Sequence, residues 1–405
     1  MKILLISDVY FPRVNGVSTS IRTFTEQLQS LGHIVHLIAP DYGVKAHGLK
    51  TEEEAWITRM PARSIYFDPE DKLMKVGEIL KLLPSLKSQQ FDLIHIHTPF
   101  IAHYAGLKLG QLLQIPVVET YHTFFEDYLH HYLPWIPRKL AKGIARFISK
   151  KQCNQVDAIV APSQPMLDVL RTYGINTQAE VIATGLQAHS FAEADGDAFR
   201  QQYSIDIARP MLLYVGRVAF EKNIHFLLKM VKQLSAVMPE VLFVITGEGP
   251  AEASLHAAVS TLGIEKNVQF IGYLNREKEL NACYKAADIF IFASKSETQG
   301  LVLLEAMAQG TPVVAIAELG TASILVEGEG AMIAPEDEAV FMQKVRSLLA
   351  NPVHCQHLGD RAKNYAQNNW SAAKQAERMA EFYAQTVAAY ALKLEASLML
   401  NTQSG

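Results

Sequence analysis

Cysteine is scarce, with 3 in 405 residues, and Cys153, Cys283 and Cys355 form no Cys-x-x-Cys pair. This argues against a disulfide-stapled fold or a zinc knuckle and fits a reducing cytosol. Long apolar runs are missing too: no stretch approaches the roughly 20 apolar residues of a spanning helix. The opening Met-Lys-Ile-Leu-Leu-Ile meets the polar Ser7 and Asp8 too early for a signal peptide. The expectation is a soluble protein, or at most one attached to a membrane surface. Neither sign of charge is in large excess, since 37 Lys and Arg face 41 Asp and Glu for a net charge of −4. Nothing therefore suggests a general nucleic-acid binder, and any basic surface must be local. The Gly-x-Gly-x-x-Gly fingerprint is absent after the first apolar run, which argues against a standard NAD enzyme. What is present is apolar bulk. With 49% apolar and 19% charged residues the chain can bury a large core, and its length suits two domains of about 150 residues or a little more.

Short apolar runs alternate with longer helical patterns. The runs fall at 2–6, 34–38, 92–96, 116–120 and 157–161, then at 211–216, 241–246, 267–271, 289–293 and 312–316. They are rich in Ile, Val, Leu and Phe with little polar alternation, as in parallel strands buried on both faces. Helical patterns lie near 17–31, 101–113, 138–152, 163–173, 223–236, 276–286 and 301–309. Alternation of this kind predicts right-handed crossovers and a doubly wound α/β architecture. The rhythm pauses over 186–209, read as a linker between two complete α/β domains, 1–190 and 205–370. One long helical pattern closes the chain over 371–398, with Ser371 as a plausible N-cap. Its apolar residues, among them Ala376, Met379, Ala380, Phe382, Tyr383 and Val387, are too many for a free tail.

Ligands of open parallel sheets sit beyond the carboxyl ends of the strands, so the residues that follow each strand carry the chemistry. After the first comes Asn15-Gly16 at the start of a helix, where backbone amides can approach an anion; an ordinary capped turn explains it equally well. After 211–216 come Gly216-Arg217 and then Glu221-Lys222-Asn223. Two cations five residues apart on a loop suit a diphosphate, and two solvated surface charges are the bland alternative. Gly247-Glu248-Gly249-Pro250 allows close backbone approach or is a plain turn. The strongest segment runs from Ser296 to Val314: Glu297 lies on a polar loop, Gly300 opens an apolar helix, and Glu305 lies one turn inside it. The free amides of that helix can hold phosphate. A carboxylate in so apolar a setting is costly without a partner, and a ribose diol would be one; a capping carboxylate plus a salt bridge is the bland alternative. His122 directly follows the strand 116–120 and should stand at its carboxyl edge as a functional residue, with a packed structural histidine as the alternative. His95 and His97 share one strand face, but no third metal ligand is evident.

Taken in order, the Asn15-Gly16 loop, Tyr121-His122-Thr123, Gly216-Arg217 with Glu221-Lys222-Asn223, Gly247-Glu248-Gly249-Pro250, and Glu297 followed by Glu305 resemble family 4 of the retaining nucleotide-sugar glycosyltransferases. The resemblance covers nearly the whole chain, and the last pair matches the family's E-x7-E pattern. It implies the GT-B fold, an α/β architecture of two Rossmann-like domains facing each other across a deep cleft, with the C-terminal helix crossing back to the first domain. It implies that Arg217 and Lys222 bind the donor diphosphate, assisted by the amides of Gly300, Leu301 and Val302 and by the loops at Gly16 and Gly247. Glu305 would hold the ribose hydroxyls, Glu297 would contact the transferred sugar, and His122 would touch sugar or acceptor from the opposite domain. The backbone near Leu274 would face the base. No metal or other cofactor is expected, in keeping with the absence of an Asp-x-Asp motif at a strand end. The favoured donor is UDP-glucose, with GDP-mannose as the alternative. A nucleotide-sugar epimerase can share the architecture. A non-enzymatic sugar-nucleotide-binding regulator is disfavoured by the joint presence of Arg217, Lys222, Glu297 and Glu305.

Residues 134–151 carry six cations and no acid. Leu140, Ile144, Phe147 and Ile148 fall on one helical face, with Trp135 and Ile136 at its start, and Arg138, Lys139, Lys142 and Arg146 lie among them. A basic amphipathic helix in an acidic protein can lie on anionic lipid. The alternative is a helix whose apolar face is buried against the sheet and whose cations alone reach solvent. The aromatic run 124–132 could line an acceptor entrance. This stretch resembles the bacterial family members that glycosylate diacylglycerol, so the expected acceptor is a membrane lipid, with a glycan as the alternative. The expected location is cytoplasmic, peripheral on the inner face of the cell membrane.

Overall fold

The computed structural model describes residues 1–43, 55–64, 72–122, 124, 137–275 and 279–403. The chain divides into two compact units, Met1–Thr184 together with Ala372–Gly405, and Gly185–Ser371.

The first unit is built on strands β1 (Lys2–Ile6), β2 (Ile34–Pro40), β3 (Ile57–Met60), β6 (Leu93–Ile96), β7 (Val117–Thr120), β8 (Ala158–Ala161) and β9 (Gln178–Val181). A small antiparallel pair, β4 (Arg63–Ser64) with β5 (Lys72–Leu73), stands apart. The seven strands form one parallel sheet in the order β3-β2-β1-β6-β7-β8-β9. Side chains alternate across a strand, so apolar residues at every position supply two cores. Ile3 and Leu5 face α1 (Gly16–Ser30) and the C-terminal helix, whereas Leu4 and Ile6 face the layer containing α2 (Ile101–Leu113).

The second unit repeats the plan with β10 (Met211–Val215), β11 (Leu242–Thr246), β12 (Val268–Gly272), β13 (Ile289–Phe292), β14 (Val313–Ala315) and β15 (Ala331–Ile333), in the parallel order β12-β11-β10-β13-β14-β15. In each sheet the chain first winds to one side of the leading strand and then to the other. The switch points fall between β1 and β6 and between β10 and β13. The crevice at such a point is where α/β sheets bind ligands.

All ten runs expected as strands are strands. Three edge strands, β3, β9 and β15, add to them. Ile-Thr-Arg-Met and Gln-Ala-Glu-Val mix polar residues into edges that are only partly covered, and β15 has three residues, so none has the apolar run of a central strand.

The expected linker is a correction. Residues 186–209 hold a 3-10 turn at Ala188–Phe191 and a helix at Gly196–Gln202, and they belong to the second unit. The units meet at Thr184–Gly185 and at Ser371–Ala372, not across 190–205. The polar composition concealed Phe199 and Ile205, which enter the core. It also concealed buried Arg200, whose guanidinium donates to the carbonyls of Ala286, Asp206 and Arg209. The closing helix runs from Ala372 to Gln403 and lies with the first unit. Ala376, Met379, Phe382 and Tyr383 are buried there against α1 and the sheet.

Candidate active site

In the second unit, β10 ends at Val215 and the chain turns through Gly216 and Arg217 to a 3-10 turn, Phe220–Lys222. The Tyr214 hydroxyl, buried beneath, donates to the Arg217 carbonyl at 3.0 Å and fixes that turn. Burial, with Glu297 and Glu221 nearby, raises the Tyr214 phenol well above its usual range, so the hydroxyl keeps its proton. Asn223 takes a left-handed conformation and donates to the Ala293 carbonyl (3.3 Å) and to Glu336 (2.9 Å). Lys295 reaches the same Glu336 at 2.7 Å. The loops after β10 and β13 are thereby held together across the switch point.

That arrangement brings Lys222 onto Glu297, Nζ to Oε2, at 2.6 Å, with both side chains about one-fifth exposed. Arg217 lies 4.0 Å from Glu221. Gly300 has φ +95° and opens α4 (Leu301–Ala308), which no side chain caps. Helix geometry leaves the first amides without an intrahelical acceptor. Glu305, one turn in, is only 6% exposed and accepts from the Tyr284 hydroxyl at 2.8 Å. The turn after β11 is packed from behind: at Gly247, φ +115°, a Cβ would stand 2.0 Å from the Gly216 carbonyl oxygen. A side chain there would break the contact between two strand-end loops. Leu274, just past β12, is half-buried against the core. Arg217, Lys222, Gly247, Glu297, Gly300, Leu301, Val302 and Glu305 thus belong to the carboxyl-end loops, or the helix they lead into, of β10, β11 and β13.

In the first unit, Asn15 caps α1 by accepting from the Ser18 amide at 2.8 Å. Gly16 follows with open space where a Cβ would stand, so the protein's own packing does not demand glycine there. Buried Asp8 accepts from the Thr98 hydroxyl (2.8 Å) and the Ala102 amide (3.0 Å), joining the ends of β1 and β6. His122 is half-buried just beyond β7, and its Nε2 lies 3.1 Å from Nδ1 of buried His97. The rings of His95 and His97 lie 4.2 Å apart and those of His97 and His122 5.4 Å. Desolvation lowers all three imidazoles, His122 to about 4 and His95 to about 3, so the row is neutral at pH 7. His95 is fully engaged by the Tyr383 hydroxyl on one nitrogen and Thr120 on the other. Among the described residues no group of three or more His, Cys, Asp or Glu is arranged to hold a metal.

The basic segment forms α3 (Arg138–Cys153). Its small residues face the protein: Ala141, Ala145 and Ser149 are buried, and the Tyr121 and Ser149 hydroxyls lie 2.8 Å apart. Its large apolar residues face outward, with Leu140 57%, Ile144 37%, Phe147 68% and Ile148 43% exposed. The alternative in which these residues are buried against the sheet does not hold. Lys139, Arg146, Lys150 and Lys151 are exposed on the same helix. Trp135, the side chain of Arg138 and all of 125–136 lie outside the described residues. No described helix is long and apolar enough to cross a membrane.

The model of Glycosyltransferase Family 4 matches residues 14–190, and that of glycosyl transferases group 1 matches residues 195–365. An alpha-monoglucosyldiacylglycerol synthase of Streptococcus pneumoniae is 33% identical over 78% of this chain and 71% of its own length. The chain belongs to glycosyltransferase family 4 and has the GT-B fold. A GDP-mannose-dependent alpha-mannosyltransferase of Mycobacterium tuberculosis is 27% identical to this glycosyltransferase, over 87% of this chain and 88% of its own. Among solved structures, that of Anabaena HepE in complex with UDP-glucose superposes with a TM-score of 0.77 at 18% identity, covering 95% of this chain and all of that one. Sucrose-phosphate synthase of Thermosynechococcus elongatus superposes with a TM-score of 0.77 at 22% identity over 96% and 99%. Both support two Rossmann-like domains.

Several residues that shape these strand-end loops carried no mark in the sequence. Tyr214 and Tyr284 lie in apolar runs where a phenol looks like packing, and only the fold shows which backbone or carboxylate each hydroxyl serves. Glu336 is one acid among several near the start of a helix. The strand face of His97 is legible in the sequence, but its contact with His122 crosses between neighbouring strands.

Proposed function

We propose that this glycosyltransferase moves a hexose, favoured as glucose from UDP-glucose, to the hydroxyl of a membrane lipid such as diacylglycerol, with retention of configuration. The observation that carries the lipid acceptor is the outward face of α3, where four large apolar side chains stand among exposed cations. A solvated helix has no use for Leu140, Ile144, Phe147 and Ile148 on its surface. An anionic bilayer accepts both kinds of residue at once. The diacylglycerol synthases of Streptococcus pneumoniae and Acholeplasma laidlawii among the relatives support the same reading.

In this proposal Arg217 and Lys222 bind the donor diphosphate, with amides of Gly300, Leu301 and Val302 on the same anion. Lys222 exchanges its bond to Glu297 for the phosphate, which leaves Glu297 to accept from a sugar hydroxyl. Glu305, oriented by Tyr284, receives the ribose hydroxyls. The Gly16 and Gly247 loops allow backbone approach, Leu274 lies near the base, and His122 serves the sugar or the acceptor. The bond between the anomeric carbon and the diphosphate oxygen breaks, and its electron pair stays on the diphosphate. Cations and amides already in place stabilise that charge more in the transition state than in the ground state. The acceptor oxygen bonds to the anomeric carbon on the face the diphosphate leaves, and its proton passes to a phosphate oxygen. No metal is needed where cations do the neutralising. The location follows from the acceptor: peripheral on the inner face of the cell membrane.

A GDP-mannose donor is the second reading, favoured by the mannosyltransferase relative. A hydrolysis screen over UDP- and GDP-sugars, repeated with diacylglycerol vesicles, decides between them. Glucosyl lipid from UDP-glucose is the expected product. Transfer from GDP-mannose alone would establish the second reading, and an epimerised nucleotide-sugar would overturn both.

A further inference from the structure

His97 is 3% exposed, and its Nε2 has no hydrogen-bond partner among the described residues. A buried imidazole nitrogen left unpaired demands an explanation. The other nitrogen, Nδ1, meets His122 Nε2 at 3.1 Å, so one of these two atoms carries the proton between them. Were it on His122, neutral His97 would carry its own proton on Nε2, a buried N–H aimed at no acceptor. Were it on His97 Nδ1, only a bare lone pair would go unsatisfied. An orphaned buried N–H is the rarer arrangement.

We propose that His97 is a positioning residue that donates from Nδ1 to His122 Nε2 and thereby holds His122 as the tautomer protonated on Nδ1. His122 then carries its proton on the ring atom that does not touch His97. The row behind supports this geometry. The His97 amide donates to the Ile6 carbonyl at 3.0 Å, setting the backbone at the end of β6. The His97 ring lies 4.2 Å from that of His95, which is locked at both nitrogens by Thr120 and by Tyr383 of the C-terminal helix. The inferred use of that proton rests on the proposed role of His122 toward sugar or acceptor. The tautomer itself rests only on the contacts within the first unit.

The test uses the full chain labelled with 15N-histidine. Imidazole 15N shifts distinguish protonated from bare ring nitrogens, and the His122→Gln variant assigns the signals. Wild type is expected to show His122 protonated at Nδ1 and bare at Nε2. His97→Leu, which fills the space without a donor, should lose that preference, whereas His97→Asn retains an amide donor near the former Nδ1 and should keep it. In turnover, His97→Leu should lower kcat roughly ten- to a hundredfold, by analogy with losing the outer hydrogen-bond partner of a metal-bound histidine, with little change in the KM for nucleotide-sugar. His97→Asn should restore most of it. A proton on Nε2 of His122 in wild type overturns the inference, even if the leucine variant fails to fold. So does an unchanged tautomer in that variant. The predicted tautomer together with full activity of His122→Ala would sustain the positioning and overturn the proposed role of His122.

Discussion

At the scale of single residues, the donor-side assignment turns on two charged groups in different settings. Lys222 is paired with Glu297 on a partly exposed loop, and Glu305 is buried against Tyr284. Removing a charge-assisted contact to a ligand costs roughly 1.5–3 kcal/mol. Lys222→Ala and Glu305→Ala should therefore weaken UDP binding by about ten- to 150-fold in calorimetry. Unchanged UDP and GDP affinity in both variants would refute the assignment. The histidine row makes a second prediction. The folded-state values of His95, His97 and His122 lie below the ordinary 6.5. The unfolded chain therefore binds more protons than the folded one below about pH 6.5, and stability falls as pH falls through that range. A histidine moved from 6.5 to about 4 should cost on the order of 2 kcal/mol at pH 5 relative to pH 7. Urea unfolding should show the loss, and His122→Gln should reduce its slope. A stability independent of pH between 7 and 5 would contradict the neutral row.

At the scale of elements, the central strands were legible because a strand buried on both faces must be apolar at nearly every position. The edges were not, because β3 and β9 are only partly covered and tolerate Thr, Arg, Gln and Glu. The E-x7-E spacing was legible for a different reason: it sets a loop acid and a helix acid a fixed distance apart in sequence. The identity of Glu305's protein partner was not, since Tyr284 lies on another helix. For α3 the sequence offered two opposite readings of one apolar face. Its small residues decided the matter, because Ala141, Ala145 and Ser149 allow close approach to the domain and turn the large residues outward. Replacing Arg138, Lys139, Lys142 and Arg146 by Ser should release the protein from anionic vesicles at low salt, since each cation contributes roughly 1 kcal/mol. Leu140→Ser with Phe147→Ser should weaken the binding that persists at high salt, because apolar insertion is not screened. Donor hydrolysis should survive both sets of changes. A wild-type protein that ignores anionic vesicles in sedimentation would remove the physical support for a lipid acceptor. The C-terminal helix offers a further check: Phe382→Ala removes a buried ring from the first unit's core and should cost about 3–5 kcal/mol of stability.

At the scale of the whole molecule, two units of the same architecture carry different chemistry. The second holds the paired cations and acids at its switch point, and the first holds the neutral histidine row, the open Gly16 turn and the outward basic helix. Activity should therefore need residues from both. His122→Ala and Glu297→Ala should each fold and each lose most transfer, and near wild-type turnover of both at saturating substrates would break that division of labour. The most direct measurement is the anomeric configuration of the product. UDP-glucose, itself the α anomer, is supplied with diacylglycerol in anionic vesicles, and the glycolipid is examined by NMR at its anomeric proton. An α-glucosyl lipid is the expected result. A β-linked product, or none from UDP-glucose while the nucleotide-sugar is epimerised, would contradict retaining transfer to lipid.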